Sequence, residues 1–210
     1  MSTEMSFRIA FAGLLIGMML IAGSHRIRAQ AAGGSVSQRE EGWVRVPLRL
    51  GGLALWGSVL AWAINPALMS WAALPLPQWL RWAGVSLGML VLPFGVWVTH
   101  TLGNNVTRTV VTRKDHRLVT SGPYRWVRHP LYTTGLLFFV ALGLTASNAF
   151  ILSGALVAIT LVTVRLPKEE AMLIARFGDD YRHYRAHTGR YFPRLRMPTR
   201  GTETSGEGTA

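Results

Sequence analysis

The segment DHRLVTSGPYRWVRHPLYTTGLLFFVALGLTASNAFILSGALVAITLVTV, residues 115–164, joins a dense polar and aromatic stretch to two apolar runs separated by a short uncharged turn at Ser147. The runs, residues 131–146 and 148–164, approach the roughly 20 residues that cross a bilayer core of about 30 Å. Backbone polar groups in lipid must bond within their own segment, so both runs are predicted to be helices. The segment predicts a tight transmembrane helical hairpin with a polar end where chemistry is expected.

Three further apolar segments precede this hairpin, at residues 7–23, 48–69 and 79–98. Their lengths predict one membrane-spanning helix each, and Pro93 is expected to kink the third. The chain is 50% hydrophobic and 15% charged, with a mean hydropathy of +0.26, which is too apolar for an ordinary soluble domain. We predict an all-α, polytopic membrane bundle of about five transmembrane helices with cytoplasmic C-terminal helices. It forms a single integral-membrane domain over residues 1–198, and residues 199–210 form a disordered tail.

Basic residues predict how these helices are oriented, because short loops rich in Arg and Lys stay in the cytoplasm. Of the 22 Lys and Arg residues, Arg8 and Arg81 alone fall on the opposite side. The amino terminus is therefore predicted outside and the carboxy terminus in the cytoplasm. Lysine occurs only at Lys114 and Lys168, which indicates a GC-rich bacterial source and hence the bacterial inner membrane. The net charge of +12 predicts contact with anionic membrane lipids, and no nucleic-acid partner.

The first apolar segment also resembles a cleaved signal peptide, with Arg8 as its charged region and RAQA at residues 28–31 as a small-residue cleavage site. Cleavage would place residue 33 onward outside. The next two spans would then carry the basic residues between 108 and 128 to the exterior. The distribution of positive charge therefore favours retention of the first span.

The entrance of the fourth helix is predicted to form an anion site. Pro130 fits the first helical turn, where its missing N–H costs nothing, and it pushes His129 toward an extended conformation. Backbone N–H groups and the positive end of the helix dipole then face the cytoplasmic boundary. A turn at residues 121–123, Ser-Gly-Pro, is expected to bring Tyr124 and Trp126 toward the same helix end.

A second polar segment, RLPKEE at residues 165–170, directly follows the fifth span. Pro167 is expected to end or kink that helix, which places Glu169 and Glu170 in the first turn of the next one. The cytoplasmic ends of a hairpin are neighbours, so four side chains are predicted to share one site: His129, Tyr132, Arg165 and Glu169. A carboxylate, backbone N–H groups and aromatic faces together are complementary to S-adenosylmethionine.

The motifs occur in a characteristic order: LVTSGPYRWVRHPLY at 118–132, the apolar hairpin, Arg165 with Glu169-Glu170, and FGDDYRHYRAHTGRYFP at 177–193. This arrangement resembles the isoprenylcysteine carboxyl methyltransferase family and, more distantly, the phospholipid methyltransferases, over about residues 102–193. The resemblance implies a membrane enzyme that takes S-adenosylmethionine from the cytosol and a lipophilic or lipid-attached acceptor from the bilayer.

The resemblance also implies roles for individual residues. The residues implied in cofactor binding are His116, Arg117, Leu118, Val119, Tyr124, His129, Tyr132 and Glu169. Arg165 occupies the position of the arginine that faces the acceptor carboxylate, so it is the expected catalytic and substrate-binding residue. Pro167 departs from the pattern, because it is expected to interrupt the helix that joins Arg165 to Glu169.

This inventory suits transfer of a methyl group to a carboxylate. Such a nucleophile is already ionised at neutral pH and needs neither a base nor a metal, so alignment and desolvation do most of the catalysis. An amine acceptor would require a base, for which His129 and Glu170 are the nearest candidates. The two acceptor types are therefore separable by their pH dependence.

Each candidate also has a purely structural interpretation. His129 can simply cap a helix, and Glu170 is interpreted as a solvated first-turn charge. Three aromatic side chains fit an interfacial belt: Tyr124, Trp126 and Tyr132. The small pair Gly13 and Gly17 is predicted to pack the first span against a neighbour.

The last predicted helical segment carries His183 and His187 at i and i+4, the spacing of a helical metal pair. No third ligand is evident and the surroundings are basic, so no metal is predicted. Gly178 is expected to break the segment into two helices, the second ending near residues 188–189. An apolar line at helical spacing is predicted to lie on the membrane surface or over the cofactor: Leu173, Phe177, Tyr181 and Tyr184.

Two other functions remain open. A nicotinamide-dependent membrane reductase of the sterol-reductase type would use Arg117, Arg125 and Arg128 to bind a phosphate-bearing cofactor. A non-catalytic membrane protein would use its basic loops to bind anionic lipid. The chain contains no G-x-G-x-x-G or P-loop motif and no cysteine, which argues against a soluble Rossmann-type enzyme, a nucleotide triphosphatase and thiolate chemistry. No obligate protein partner is indicated.

Overall fold

The computed structural model describes residues 3–31, 45–103 and 118–194 of the chain. These residues form five α-helices: α1 (Thr3–Ala31), α2 (Arg45–Ile64), α3 (Gln78–Leu102), α4 (Pro130–Ala146) and α5 (Ala149–His187). Short 3-10 helices at Pro66–Ala72 and Gly122–Arg125 complete the described secondary structure, which includes isolated bridges but no strand. The predicted all-α bundle of about five helices is confirmed.

Within the described part of the chain, three helical segments are long and apolar enough to cross a membrane: Thr3–Ser24 of α1, α3 and α5. The other two apolar helices are shorter, at Arg49–Ile64 and Pro130–Ala146. Large apolar side chains on the outside of the bundle remain exposed, among them Leu53 and Leu90 at 71% each. Because a soluble protein would cover such surface, the helices form an integral, multi-pass membrane protein.

The second helix ends earlier than predicted, at Ile64 instead of residue 69. Pro66 disfavours the helical conformation of the residue before it and has no N–H to donate. Asn65 accordingly adopts an extended conformation, and its side chain accepts a hydrogen bond from the backbone N–H of Ala67. The chain continues as the 3-10 helix Pro66–Ala72, which crosses the end of the bundle.

Close approaches at glycines fix how α1, α3 and α4 pack. A Cβ atom on Gly84 of α3 would lie 2.9 Å from the carbonyl oxygen of Ala141 in α4. Where α3 faces α1, a Cβ on Gly88 of α3 would lie 2.6 Å from Leu14 of α1. A Cβ on Gly17 of α1 would lie 2.9 Å from Leu92 of α3. Gly13 has no atom within 4 Å of the corresponding point, so only one member of the predicted glycine pair lies at a helix contact.

The hairpin between α4 and α5 is confirmed. Its turn consists of Ser147 in the left-handed region, with φ of 54°, and Asn148, whose side chain accepts a hydrogen bond from the N–H of Ile151. A Cβ on Gly143 would lie 2.9 Å from the backbone of Leu152, so the two helices approach closely beside the turn. This packing places the first residues of α4 next to the middle of α5.

The helix does not end at Pro167, because α5 continues through this residue to His187 with Gly178 as its non-helical position. Leu166 and Glu170, on either side of the proline, are buried, and packing at both positions holds the helix together despite the lost backbone hydrogen bond. Arg165 and Glu169 therefore lie four positions apart on one helix face. The predicted break at Gly178 is confirmed by its φ of 55°.

Candidate functional site

His129 lies at the start of α4, where Pro130 is the first helical residue as predicted. The backbone of His129 is non-helical, with φ of −123° and ψ of 57°, and its side chain makes no capping hydrogen bond. Its Nε2 atom instead lies 3.4 Å from Oε1 of Glu170. The purely capping interpretation of His129 is therefore wrong.

Tyr132 connects the two polar segments of the predicted site. Its hydroxyl donates a 2.8 Å hydrogen bond to Oε2 of Glu169, and its ring stacks on the imidazole of His129 with centroids 5.7 Å apart. Arg165 lies close enough for its charge to act on the same hydroxyl. The structure thus brings together the four side chains that the sequence assigned to one site: His129, Tyr132, Arg165 and Glu169.

Glu170 is a buried ion-pair centre, and the prediction of a solvated charge is wrong. Its side chain is 5% exposed and lies 3.1 Å from Nε of Arg128 and 3.7 Å from a guanidinium nitrogen of Arg185. The reason is the continuity of α5 through Pro167, which turns Glu170 toward the segment that precedes α4. Because three cationic or hydrogen-bonding groups surround this carboxylate, it forms a satisfied buried network.

Arg128 joins the start of α4 to the end of α5. Besides Glu170, its NH1 group donates to the carbonyl oxygens of Arg185, at 3.1 Å, and Thr188. These carbonyls belong to the last turn of α5 and the residue that caps it, where a helix leaves acceptors without partners. One guanidinium therefore caps α5 and neutralises Glu170 at the same time.

Burial lowers the pKa of His129 below its usual range. The charges of Glu169 and Glu170 oppose this effect, whereas the neighbouring Arg128 adds to it. A neutral imidazole with its proton on Nε2 can donate to Glu170, and we assign this tautomer because a carboxylate only accepts. His129 is thus held as a neutral polar group inside the site.

The aromatic residues of the preceding turn take two different positions. Tyr124 is buried, burial raises its pKa, and its carbonyl oxygen accepts a 2.6 Å hydrogen bond from the Tyr184 hydroxyl. Trp126 is 41% exposed, packs edge-on against Trp97 of α3, and carries the guanidinium of Arg125 at 4.0 Å from its ring. The interfacial-belt interpretation therefore fits Trp126 and not Tyr124.

The end of α5 packs against the segment that precedes α4. Tyr181 is 1% exposed and packs against Tyr184, with ring centroids 5.9 Å apart. Within the described residues, the buried hydroxyl of Tyr181 has no hydrogen-bond partner. Glu170 and Arg128 are near enough to act on it electrostatically, so this hydroxyl belongs to the same polar region.

The remaining residues predicted to bind the cofactor precede the turn at residues 121–123. Leu118 and Val119 are half-buried at the beginning of the last described segment. His116 and Arg117 lie outside the described residues, as does the predicted tail at residues 199–210. No sequence pattern indicates the pairing of Arg128 with Glu170, because the two residues are 42 positions apart and each resembles an ordinary flanking charge.

Together these features define the class of the protein, a multi-pass helical membrane protein with a polar site at one end of a helical hairpin. The family model described as "Isoprenylcysteine carboxyl methyltransferase (ICMT) family" matches residues 82–175. Residues 82–175 are therefore similar to the isoprenylcysteine carboxyl methyltransferase family, as the motifs suggested. The match begins earlier than the motifs, within α3, and ends just before the motif at residues 177–193.

Individual relatives show the same similarity. The "Cobalt-zinc-cadmium resistance protein CzcN" of Cupriavidus metallidurans is 31% identical over 120 residues, which are 56% of this chain and 56% of the relative. The "Protein-S-isoprenylcysteine O-methyltransferase" of Homo sapiens is 32% identical over 133 residues, covering 57% of this chain and 46% of the relative. The chain thus spans about half the length of the curated relatives it matches.

A solved structure has the same fold. The structure of "the eukaryotic intramembrane Ras methyltransferase ICMT" matches with a TM-score of 0.58 and 21% sequence identity, over 88% of this chain and 66% of that chain. At this level of identity the likeness concerns the arrangement of the helices. It extends beyond the region matched by the family model.

Proposed function

We propose that this protein is an S-adenosylmethionine-dependent membrane methyltransferase that methylates a lipophilic acceptor bearing a carboxylate, similar to an isoprenylcysteine. The observation that carries the proposal is the convergence of Tyr132 and Glu169, joined by a 2.8 Å hydrogen bond, with His129 stacked on Tyr132. This cluster lies at the polar end of the hairpin, and the chain matches the isoprenylcysteine carboxyl methyltransferase family there.

The described side chains fit the proposed methyl donor. The carboxylate of Glu169 suits an ammonium group or ribose hydroxyls, and the faces of Tyr132 and His129 suit a sulfonium or an adenine ring. The buried Tyr181 hydroxyl, which lacks a partner within the described residues, adds a polar group on the same side. When bound, the donor supplies an electrophilic methyl group.

Arg165 is proposed to orient the acceptor. Its position on the same helix face as Glu169 would hold the acceptor carboxylate beside the donor by a forked pair of hydrogen bonds, which the low dielectric of the membrane boundary strengthens. A carboxylate oxygen then attacks the methyl carbon. As the new C–O bond forms, the C–S bond breaks and its electron pair returns to sulfur, which leaves as a neutral thioether.

Carboxylate and amine acceptors would place different demands on the side chains of the site. An amine would need a base, and Glu170 is poorly suited because Arg128 stabilises its ionised, ion-paired form. His129 is neutral and is the remaining candidate base. For the proposed carboxylate acceptor we expect turnover to depend little on pH between about 7 and 9, since this nucleophile is ionised throughout the range.

The same proposal includes the setting of the reaction. The polar end of the hairpin would face the cytoplasm, with the amino terminus outside, in the inner membrane of a bacterium. The donor would arrive from the cytosol and the acceptor from the surrounding lipid. The nicotinamide-reductase alternative is weaker, because Arg128 is committed to Glu170 and Arg125 stacks on Trp126, whereas Arg117 lies outside the described residues.

Calorimetric titration of the purified full-length protein with S-adenosylhomocysteine and, separately, with NADPH tests the donor. We expect saturable binding of S-adenosylhomocysteine alone, and binding of NADPH alone would favour the reductase. A second measurement incubates native membranes with tritiated-methyl S-adenosylmethionine and extracts the labelled lipid. Base-labile label would indicate a methyl ester, and base-stable label in an amine-containing lipid would overturn the carboxylate assignment.

A further inference from the structure

The residues that follow α5 form a strap, defined here as residues 188–191, that runs beside the start of α4. Gly189 donates from its N–H to the carbonyl of Trp126 at 3.1 Å and accepts from the N–H of Arg128 at 2.8 Å. The N–H of His129 donates to the carbonyl of Arg190 at 3.1 Å. Main-chain bonds therefore fix the strap directly alongside His129.

The strap turns sharply after Gly189. A Cβ atom on this residue would clash with the carbonyl oxygen of Phe192, so only glycine fits here. Tyr191 lies within this turn, between Gly189 and Phe192.

Tyr191 bridges the two helices that carry the site. The Thr133 hydroxyl of α4 donates to the carbonyl of Tyr191 at 2.8 Å. The phenol oxygen of Tyr191 lies 2.8 Å from Oγ1 of Thr163 on α5. A half-buried tyrosine therefore occupies the cleft between α4 and α5.

This bridge lies on the membrane side of the proposed methyl-transfer site. Thr163 precedes Arg165 by about 3 Å and Glu169 by about 9 Å along the helix axis, toward the apolar part of α5. Tyr191 is also near enough to act electrostatically on the Tyr132 hydroxyl, which is bonded to Glu169. Neighbouring apolar side chains on this flank are exposed: Leu131 at 36%, Val164 at 53% and Phe192 at 61%.

We infer that Tyr191 is a specificity-determining residue that limits the cross-section of the acceptor's apolar tail. The inference rests on the proposed function, because it requires an acceptor whose carboxylate lies at Arg165. Arg165 and Tyr191 both act electrostatically on the Tyr132 hydroxyl, so a tail that leaves Arg165 through the cleft between α4 and α5 meets the ring of Tyr191. The ring is held by a single hydrogen bond between two neutral hydroxyl groups, which is weak enough for a tail of suitable shape to displace.

The test compares two acceptors, N-acetyl-S-farnesylcysteine and N-acetyl-S-dodecylcysteine. Their tails share the same main-chain length, and the farnesyl tail carries methyl branches and double bonds that the dodecyl tail lacks. Tritiated methyl transfer by the full-length protein in lipid nanodiscs gives kcat/KM for each. We expect Tyr191→Ala and Tyr191→Leu to raise the farnesyl-to-dodecyl ratio by about tenfold, since accommodating a methyl group is worth roughly that factor. Tyr191→Phe keeps the ring and should preserve the ratio.

Phe192→Ala is the matched control, because it removes a neighbouring exposed ring and should leave the ratio unchanged. Binding of S-adenosylhomocysteine within about twofold of wild type identifies variants that are folded. A wild-type protein that methylates both probes, with a ratio unchanged in the folded Tyr191 variants, overturns the inference and spares the proposed function. A wild-type protein that methylates neither probe refutes the isoprenylcysteine-like acceptor, and the inference with it.

Discussion

Two buried arginines lie at opposite ends of the bundle, and each is paired with a glutamate in a different way. Arg81, near the start of α3, lies 2.5 Å and 3.0 Å from the two carboxylate oxygens of Glu4, whose side chain is 68% exposed. Arg128, before α4, lies 3.1 Å from Glu170, whose side chain is 5% exposed. Only the second carboxylate has given up its contact with water.

This difference separates a structural clamp from a polar site. Arg81 also donates to the carbonyl of Thr145 and lies 3.8 Å from the ring centroid of Phe7, so it ties α1 to the adjoining ends of α3 and α4. Glu4 can return to water if this clamp is lost. Glu170 cannot, because it is enclosed with Arg128 and His129. The exposure of the carboxylate therefore distinguishes two pairs that look alike in the sequence.

Removing each arginine in turn tests this comparison and should give the largest effect. Arg128→Met removes the nearest cation from the buried Glu170 and leaves the half-exposed Arg185, 3.7 Å away, as its charged neighbour. We expect it to lower the free energy of unfolding by about 3 kcal/mol, the low end for breaking a buried pair. Arg81→Met leaves Glu4 free to turn to water and should cost about 1–2 kcal/mol, chiefly from the lost hydrogen bond to Thr145. Denaturant unfolding in detergent micelles measures both, and equal losses would show that the two pairs do not differ.

Substitutions at the two ends should also differ in ligand affinity. His129→Ala and Glu169→Ala are each expected to weaken S-adenosylhomocysteine binding by about a hundredfold. This is the effect of losing one or two hydrogen bonds to charged groups. Arg165→Ala should leave this affinity nearly unchanged and slow turnover. Glu4→Ala is the control at the opposite end. An Arg165→Ala variant that loses affinity as severely as the other two would contradict the proposed division of roles.

Acid should weaken the end of the bundle that contains His129. Because burial lowers the folded-state pKa of His129, the unfolded chain takes up this proton first as the pH falls. The stability associated with the neutral imidazole is therefore complete above about pH 7.5 and declines as the pH drops below about 6.5, the unfolded value.

Melting temperatures between pH 8 and pH 5.5 measure this decline. His129→Gln should reduce the dependence of the melting temperature on pH. Replacement of the exposed His183 by Gln should leave this dependence as in wild type. If the two variants follow the same curve, His129 is not the group that titrates.

The smallest expected effect concerns the two tyrosines at the end of α5. The Tyr181 hydroxyl has no partner within the described residues, so Tyr181→Phe should leave the unliganded protein equally or slightly more stable. Tyr184→Phe loses a bond to the carbonyl of Tyr124 and should cost about 1 kcal/mol. A loss of S-adenosylhomocysteine affinity confined to Tyr181→Phe would indicate that this hydroxyl contacts the ligand.

Local sequence was sufficient to predict much of the fold. Apolar length located the five helices, Pro130 marked the first turn of α4, and Gly178 marked the break in α5, because these features depend on residues next to each other in the chain. Pro66 and Pro167 show where such reasoning ends. Pro66 terminates α2 before its predicted limit, whereas Pro167 is accommodated inside α5, since packing at Leu166 and Glu170 holds the helix on both sides.

The sequence by itself determined that the polar ends of α4 and α5 meet, because a short turn between two spans leaves them no other arrangement. It also identified His129, Tyr132, Arg165 and Glu169 as neighbours. Only the tertiary structure decided that Glu170 is buried on Arg128 and that Tyr191 closes the cleft beside Thr163. Those contacts join distant parts of the chain, and their partners are chosen by how the helices and the strap pack, which no local pattern encodes.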